Sequence, residues 1–154
     1  MAAELIAKGV DPEEMYGRVY GAAPLTRYRL LRRALDTLEL DAEAGIAWMI
    51  IPDDALREIS ATPDDLEGLV DVPRGIQGAL VGLLFRQTTT GEVKVSFRSN
   101  GPVNVNELAR RFGGGGHLRA SGAVVPGPMD DAVAVVIQAT REAVSRSVDG
   151  GGSA

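Results

Sequence analysis

The chain has 154 residues, of which 45% are hydrophobic and 24% charged, and its formal net charge is −5. A chain of this length can bury a core of its own without a disulfide framework or a structural metal. It contains no Cys and a single His, which excludes disulfides, thiol nucleophiles, zinc–cysteine sites and histidine-rich metal centres. No apolar run approaches the roughly 20 residues of a membrane span and no signal peptide is visible, so we expect a cytoplasmic protein without a membrane partner.

The first 38 residues have helical patterns. A first helix is predicted over residues 2–8, and Asp11 caps a second helix that ends near Tyr20. Leucines at spacings of three and four predict a third helix over residues 24–38, whose arginines we interpret as a solvated face. The apolar residues of the first two helices fit a missing upstream domain or a dimer interface equally well.

After residue 38 the patterns alternate between strands and helices. Residues 38–40 and 46–51 predict a hairpin, and Asp53 and Thr62 cap short helices. Later segments predict strands over residues 79–86, 93–98 and 120–125, and helices over residues 104–112 and from Pro128 onwards. This order predicts an α/β (α+β) domain in which a mixed β-sheet is flanked by helices and preceded by an N-terminal helical linker.

The charge is unevenly distributed along this predicted fold. Residues 36–71 contain eleven acids and one base, whereas residues 86–119 contain six bases and two acids. The acidic part should repel long nucleic acid, while the basic part is suited to hold a phosphate. In the strand over residues 93–98, strict alternation predicts that one polar set faces away from the core, namely Lys94, Ser96 and Arg98.

Packing alone does not explain the four consecutive glycines at residues 113–116, which are followed by His117. Their bare amides could converge into a nest that binds an anionic oxygen, and flanking arginines such as Arg119 would add positive potential. Glycine runs are also common in empty loops. From spacing alone, phosphate binding and a floppy loop are equally good interpretations.

Three segments, in the same order, resemble the DHH-associated domain, the C-terminal half of the DHH phosphoesterase superfamily. They are residues 67–76 (EGLVDVPRGI), the strand of residues 93–99, and the glycine run with His117 and the Ala-Ser-Gly of residues 120–122. The first segment is similar to the nanoRNase A branch, whose members are oligoribonucleases and 3′-phosphoadenosine 5′-phosphate phosphatases, with cyclic-dinucleotide phosphodiesterase relatives. The resemblance extends over roughly residues 1–148.

This resemblance implies domain borders and a substrate site. Residues 1–38 would be the helical end of the DHH half and the linker helix, residues 39–148 the DHH-associated substrate-binding domain, and residues 149–154 a disordered tail. No catalytic residue and no metal ligand is implied in this chain. The residues implied to bind substrate are Arg98, Ser99, Gly113, Gly114, Gly115, Gly116, His117, Arg119 and Ser121.

In the family, manganese or magnesium and the Asp-His-His motif belong to the catalytic half, and this sequence has one His and no such motif. We therefore expect no cofactor in this chain, a DHH catalytic domain normally in the same polypeptide, short RNA or a small nucleotide as ligand, and no turnover by the chain alone. Two other functions stay open. One is a free-standing nucleotide- or RNA-binding module, as in the C-terminal part of alanyl-tRNA synthetases or in RecJ-like exonucleases; the other is a structural or dimerisation domain forming a homodimer.

Overall fold

The structure, a computed structural model, describes residues 6, 8–20, 23–52 and 54–150. Most of the predicted helix over residues 2–8, the Asp53 cap and residues 151–154 lie outside the described residues. In the described part of the chain the helices are α1 Pro12–Tyr20, α2 Leu25–Leu35, α3 Ala55–Glu58, α4 Asp71–Arg74, α5 Val105–Arg110 and α6 Met129–Gly150. The strands there are β1 Glu39–Asp41, β2 Ile46–Ile51, β3 Val81–Gln87, β4 Val93–Ser99, β5 Gly115–His117 and β6 Ala120–Val125.

The strands form one mixed sheet with the order β1-β2-β3-β4-β6-β5. β2 and β3 are parallel, and the other neighbouring pairs are antiparallel. The predicted fold class, a mixed sheet flanked by helices, is therefore confirmed, as are the hairpin of β1 and β2 and the strands β3, β4 and β6.

The structure corrects the predicted borders at several places. The third predicted helix ends at Leu35, where the hydroxyl of Thr37 donates to the carbonyl of Ala34 at 2.7 Å and accepts from the N–H of Ile50 at 2.8 Å, which leads the chain into the sheet. Helix α4 and strand β5 were not predicted. Helix α6 continues to Gly150, so the first two residues assigned to the tail are helical.

One face of the sheet packs against α5 and α6 and contains the larger core. Phe85 of β3 and Phe97 of β4 are fully buried there, together with Val93 and Val95. Lys94, between the two valines, is exposed. The alternation predicted for this strand is therefore confirmed.

The other face is covered only in part. Helix α2 contributes Leu30 and Ala34 to a second core, in which Met49 of β2 and Leu84 of β3 are also buried. Nothing in that core comes from the same face of β4, β5 or β6. We call this uncovered half, formed by β4, β6 and β5, the open face.

Polar contacts fix α2 to the covered half. The guanidinium of Arg33 lies 3.1 Å from Asp54 and 2.7 Å from Glu58, and its hydrogen bonds to Glu58 and Asp54 raise the pKa of Arg33. The hydrogen bond from Arg33 in turn lowers the pKa of Asp54. These groups are partly exposed, so the ion pairs orient the helix more than they stabilise the fold.

Asp65, which is 4% exposed, joins α2 to the 3₁₀ turn Pro63–Leu66. The backbone N–H of Thr62 donates to its Oδ2 at 2.7 Å, and the hydroxyl of Thr26 donates to its Oδ1 at 2.8 Å. These two hydrogen bonds, the first above all, lower the pKa of Asp65 below its ordinary value of 3.8. Donors that favour the charged carboxylate make its ionisation a source of stability.

We predict that Asp65→Asn destabilises the protein at pH 7, and that the difference from wild type shrinks as the pH falls below about 4. Because the folded state lowers the pKa of Asp65, its contribution is complete above pH 3.8 and is lost as the carboxylate takes up a proton. Urea unfolding of both proteins from pH 7 to pH 3 measures this. Asp64→Asn, at the exposed neighbouring residue, is the control. A difference in the free energy of unfolding between Asp65→Asn and wild type that does not change with pH would contradict the prediction.

Candidate functional site

The open face carries small residues on its middle strand and polar or charged side chains on the strands beside it. Strand register aligns Arg98 of β4 with Ala120 of β6, and Ala120 with His117 of β5. In the next row, Ser96 lies beside Gly122. Because neighbouring strands lie about 4.8 Å apart, the backbones of Arg98 and His117 are separated by about 10 Å. Only the methyl group of Ala120 stands between them in that row.

Arg98 is held in position by the protein around it. Its Nη1 donates a hydrogen bond to the carbonyl of Phe97 at 3.0 Å, and its Nε lies 4.0 Å from Oδ1 of Asp71. The same carboxylate oxygen lies 3.1 Å from Nη2 of Arg74. The side chain of Arg98 is 30% exposed, so part of its guanidinium stays accessible from the open face.

A cleft of about 260 Å³ lies where the open face meets the segment between the 3₁₀ turn and α4. Its cations are Arg86, Lys94 and Arg98, and its acid is Glu67. Leu84 is among the apolar residues that line it. The cleft thus combines an excess of positive charge with an apolar wall, which suits an anionic ligand that carries a ring. The predicted alternation of β4 placed Lys94 beside Arg98, whereas Arg86 was not singled out from the sequence.

The glycine run does not form the predicted nest. The N–H of Gly113 donates to the carbonyl of Arg110 at 3.1 Å, and the N–H of Gly114 donates to the carbonyl of Ala109 at 3.0 Å. These bonds satisfy the last carbonyls of α5, and Gly113 has a φ of +72°, as is usual just after a helix end. The interpretation of four converging free amides is therefore wrong for the first two glycines.

The remaining glycines belong to the sheet. Gly115 and Gly116 are in β5, where they pair with Gly122 and Ser121. A Cβ at Gly114 would overlap the carbonyl oxygen of Gly122, and a Cβ at Gly116 would lie 2.7 Å from the Cα of Ser121. Gly115 is different, because its Cβ would have no heavy atom nearer than Asn106 Oδ1 at 3.8 Å. Close packing therefore explains Gly114 and Gly116 but not Gly115.

The structure does not bring the two predicted serines to the open face. Ser99 is 1% exposed and lies on the same face of β4 as Phe97. It exchanges hydrogen bonds with the backbone of Gly101. Ser121 is 6% exposed, pairs with Phe97 and donates to the carbonyl of His117 at 2.8 Å. Both hydroxyls are therefore directed towards the covered side. They support the backbone of the site and are poorly placed to touch a ligand.

Arg119 lies in the turn between β5 and β6, next to His117. Its side chain is exposed, and its carbonyl accepts a hydrogen bond from the N–H of Ser99 at 3.1 Å. This contact ties the β5–β6 hairpin to the end of β4. His117, Arg119 and Arg98 are thus grouped at one end of the open face.

A larger groove, of about 740 Å³, lies elsewhere, between β1 and the last turns of α6. Its floor includes Trp48 and Val144, and its charged groups Arg141 and Asp41 are bonded to each other at 2.8 Å. Since that arginine is already paired, the groove offers less for an anion than the cleft beside Arg98. We therefore place the candidate site on the open face despite its smaller volume.

Acidic clusters are absent from this site. Within the described ranges, no group of three or more His, Cys, Asp or Glu side chains is close enough together to hold a metal ion. The guanidinium groups at the site bind anions, so manganese or magnesium does not fit the residues present. In the same part of the chain, no helix is long and apolar enough to cross a bilayer.

The DHHA1 domain family matches residues 45–146, about two thirds of the chain. The chain belongs to this family, and the resemblance to the DHH-associated domain is confirmed. Its relatives are NrnA-like DHH phosphoesterases, so it is a phosphoesterase-associated domain.

The named relatives are longer than this chain. It is 34% identical to the bifunctional oligoribonuclease and PAP phosphatase NrnA of Thermus thermophilus, in an alignment that covers 96% of this chain and 44% of the relative. The protein of the same name from Bacillus subtilis is 32% identical, with 80% and 38% covered. The chain therefore spans about two fifths of the length of these relatives.

Solved structures agree with this assignment. An exopolyphosphatase-related protein from Bacteroides fragilis superposes with a TM-score of 0.85 and 31% identity, covering 94% of this chain and 42% of that one. A pGpG-specific phosphodiesterase, PggH from Vibrio cholerae, superposes with a TM-score of 0.51 and 11% identity, covering 79% and 40%. The second comparison supports the fold alone.

We predict opposite outcomes for two neighbouring glycine variants. Gly114→Ala should lower the free energy of unfolding by about 1–3 kcal/mol, because its methyl group would overlap the backbone of β6. Gly115→Ala should change it by less than about 1 kcal/mol, because the nearest heavy atom to the added methyl group is Asn106 Oδ1 at an ordinary contact distance of 3.8 Å. Urea unfolding of both variants provides the comparison. Equal destabilisation by the two substitutions would contradict the geometry described here.

Proposed function

We propose that this chain is the substrate-binding domain of a metal-dependent phosphoesterase that hydrolyses short oligoribonucleotides or small nucleotides such as 3′-phosphoadenosine 5′-phosphate. The catalytic half would be a DHH domain normally in the same polypeptide. The observation that carries the proposal is the row formed by Arg98, Ala120 and His117 on the open face. The names of the relatives give the substrate class.

The geometry suits the end of a short nucleic acid. Arg98 and Arg119 supply guanidinium groups for a phosphate, and His117 can donate a hydrogen bond to a phosphate or stack on a base. The small residues between them leave a flat floor on which a sugar or base can lie.

The charge distribution limits the length of the ligand. Residues 36–71 hold eleven acids and one base, and they include Glu67 of the cleft wall and Asp71 beside Arg98. A long polyanion that continued beyond the cations would meet this acidic surface. Recognition of the ligand should therefore depend on a bound phosphate and a terminal nucleotide, and little on the base sequence.

Substituting Arg98 or His117 on the open face should weaken nucleotide binding without unfolding the domain. We predict that Arg98→Ala and His117→Ala each raise the dissociation constant for the diadenylate pApA by roughly tenfold, which is the order expected for a charge-assisted hydrogen bond. Nuclear magnetic resonance titration measures such weak binding. Arg146→Gln, which removes an exposed guanidinium from the opposite side of the sheet, is the matched control. Unchanged affinity in both site variants would refute the proposal and favour a structural or dimerisation role.

The chain by itself should not turn over substrate. Hydrolysis of a phosphodiester near neutral pH needs a metal-activated water and charge neutralisation at the leaving oxygen, and the residues of the open face supply neither. We predict no manganese-dependent hydrolysis of pApA by this chain alone. Chromatography of the reaction products, with the complete Thermus thermophilus relative as positive control, decides this. Turnover by the isolated chain would overturn the assignment of catalysis to a separate half.

A further inference from the structure

The candidate site contains a carboxylate beside the arginine that we assign to phosphate. Asp71 begins helix α4, which lies against β3 where Gly82 has no side chain; a Cβ at Gly82 would be 2.7 Å from the Cα of Arg74. Gly82 is also the cross-strand partner of Arg98. This close approach is why α4 brings the carboxylate of Asp71 within 4.0 Å of Nε of Arg98.

The two oxygens of Asp71 have different surroundings. Oδ1 is the oxygen that faces Arg74 at 3.1 Å and Arg98 at 4.0 Å. Oδ2 lies towards Gly68, 3.9 Å from the position that a Cβ there would take. Gly68 has a φ of +74° and lines the cleft, and a terminal nitrogen of Arg27 lies 3.1 Å from the same Cβ position. The side chain of Asp71 is 47% exposed, so a ligand in the cleft can reach it.

A carboxylate at this place opposes the binding of a phosphate, because it brings negative charge close to the anion. Pairing with Arg74 accounts for one oxygen only. The other is a carboxylate oxygen beside Gly68, which lines the cleft, and its complement on a ligand is a hydroxyl or amino donor. In a nucleotide, the hydroxyl donor nearest to a backbone phosphate is the ribose 2′-hydroxyl, which DNA lacks and by which proteins distinguish RNA from DNA.

We propose that Asp71 is a specificity-determining residue for ribonucleotides: its Oδ2 accepts a hydrogen bond from the 2′-hydroxyl of the nucleotide whose phosphate Arg98 binds. This inference rests on the proposed function above. The same carboxylate disfavours a deoxynucleotide, since it then repels the phosphate without gaining a hydrogen bond. Asp71 thus raises selectivity at some cost in affinity.

The experiment compares pApA with its deoxy counterpart d(pApA) in nuclear magnetic resonance titrations of the 154-residue chain. Wild type should bind the ribonucleotide roughly tenfold more tightly, as expected for a hydrogen bond to a charged acceptor. Asp71→Ala should bind both ligands with equal affinity, with the deoxy form bound more tightly than by wild type. Asp71→Asn, which keeps an amide oxygen, should retain a few-fold preference for the ribonucleotide.

Glu67→Gln is the matched control, because it removes a carboxylate that lines the cleft and leaves Asp71 in place. It should shift the affinity for both ligands equally and leave their ratio as in wild type. The spectra of each variant also report whether the fold is intact, and Asp71→Asn serves as the test if Asp71→Ala does not fold.

Equal binding of the two dinucleotides by wild type would overturn the inference while leaving the proposed function standing. So would a loss of affinity for both ligands in Asp71→Ala with the ratio preserved, since Asp71 would then only orient Arg98. Binding of neither dinucleotide by wild type would instead contradict the proposed function, and the assignment of Asp71 with it.

Discussion

In the described part of this protein, helices α5 and α6 pack on one face of the sheet, the other face is covered only over β2 and β3, and the rest of the structure depends on that asymmetry. β4 lies at the boundary. Its residues Val93 and Phe97 are fully buried beneath α5 and α6, while Lys94 is exposed on the opposite side. A strand with one buried face holds its register firmly, because a slip by one residue would exchange the two sets of side chains. The rigid core face therefore fixes the position of every group on the open face.

The glycine run shows how packing and binding share one segment. Gly113 and Gly114 end α5, and Gly116 lets β5 approach β6 closely. These roles alone would justify three glycines. From spacing alone, an amide nest and an empty loop were equally good interpretations of all four, because the pairing of β5 with β6 depends on contacts that spacing does not reveal. A three-residue strand made of two glycines and a histidine has no alternation to detect.

Helices and strands whose apolar residues repeat regularly along the sequence were predictable. Those that depend on contacts with distant parts of the chain were not. The alternation in β4 predicted correctly which side Lys94 and Arg98 occupy, because a period of two is a local property. If the same alternation is extended by one residue, it places Ser99 on the buried side with Phe97. The burial of Ser99 was therefore predictable from the sequence. Helix α4 is only four residues long and is held by its contact with Gly82. So short a helix has no repeating pattern from which it could be predicted.

Helix α2 connects the second core to the wall of the cleft. Leu30 and Ala34 bury one side of the helix, and the hydroxyl of Thr26 bonds to the carboxylate of Asp65. A terminal nitrogen of Arg27 lies 3.1 Å from where a Cβ at Gly68 would stand. A side chain at residue 68 would therefore disturb the arginine and the cleft together, besides requiring a left-handed backbone. The pattern predicted a solvated face for the arginines of α2, but Arg27 lies beside the backbone of Gly68, which lines the cleft, so this helix contributes to the shape of the site.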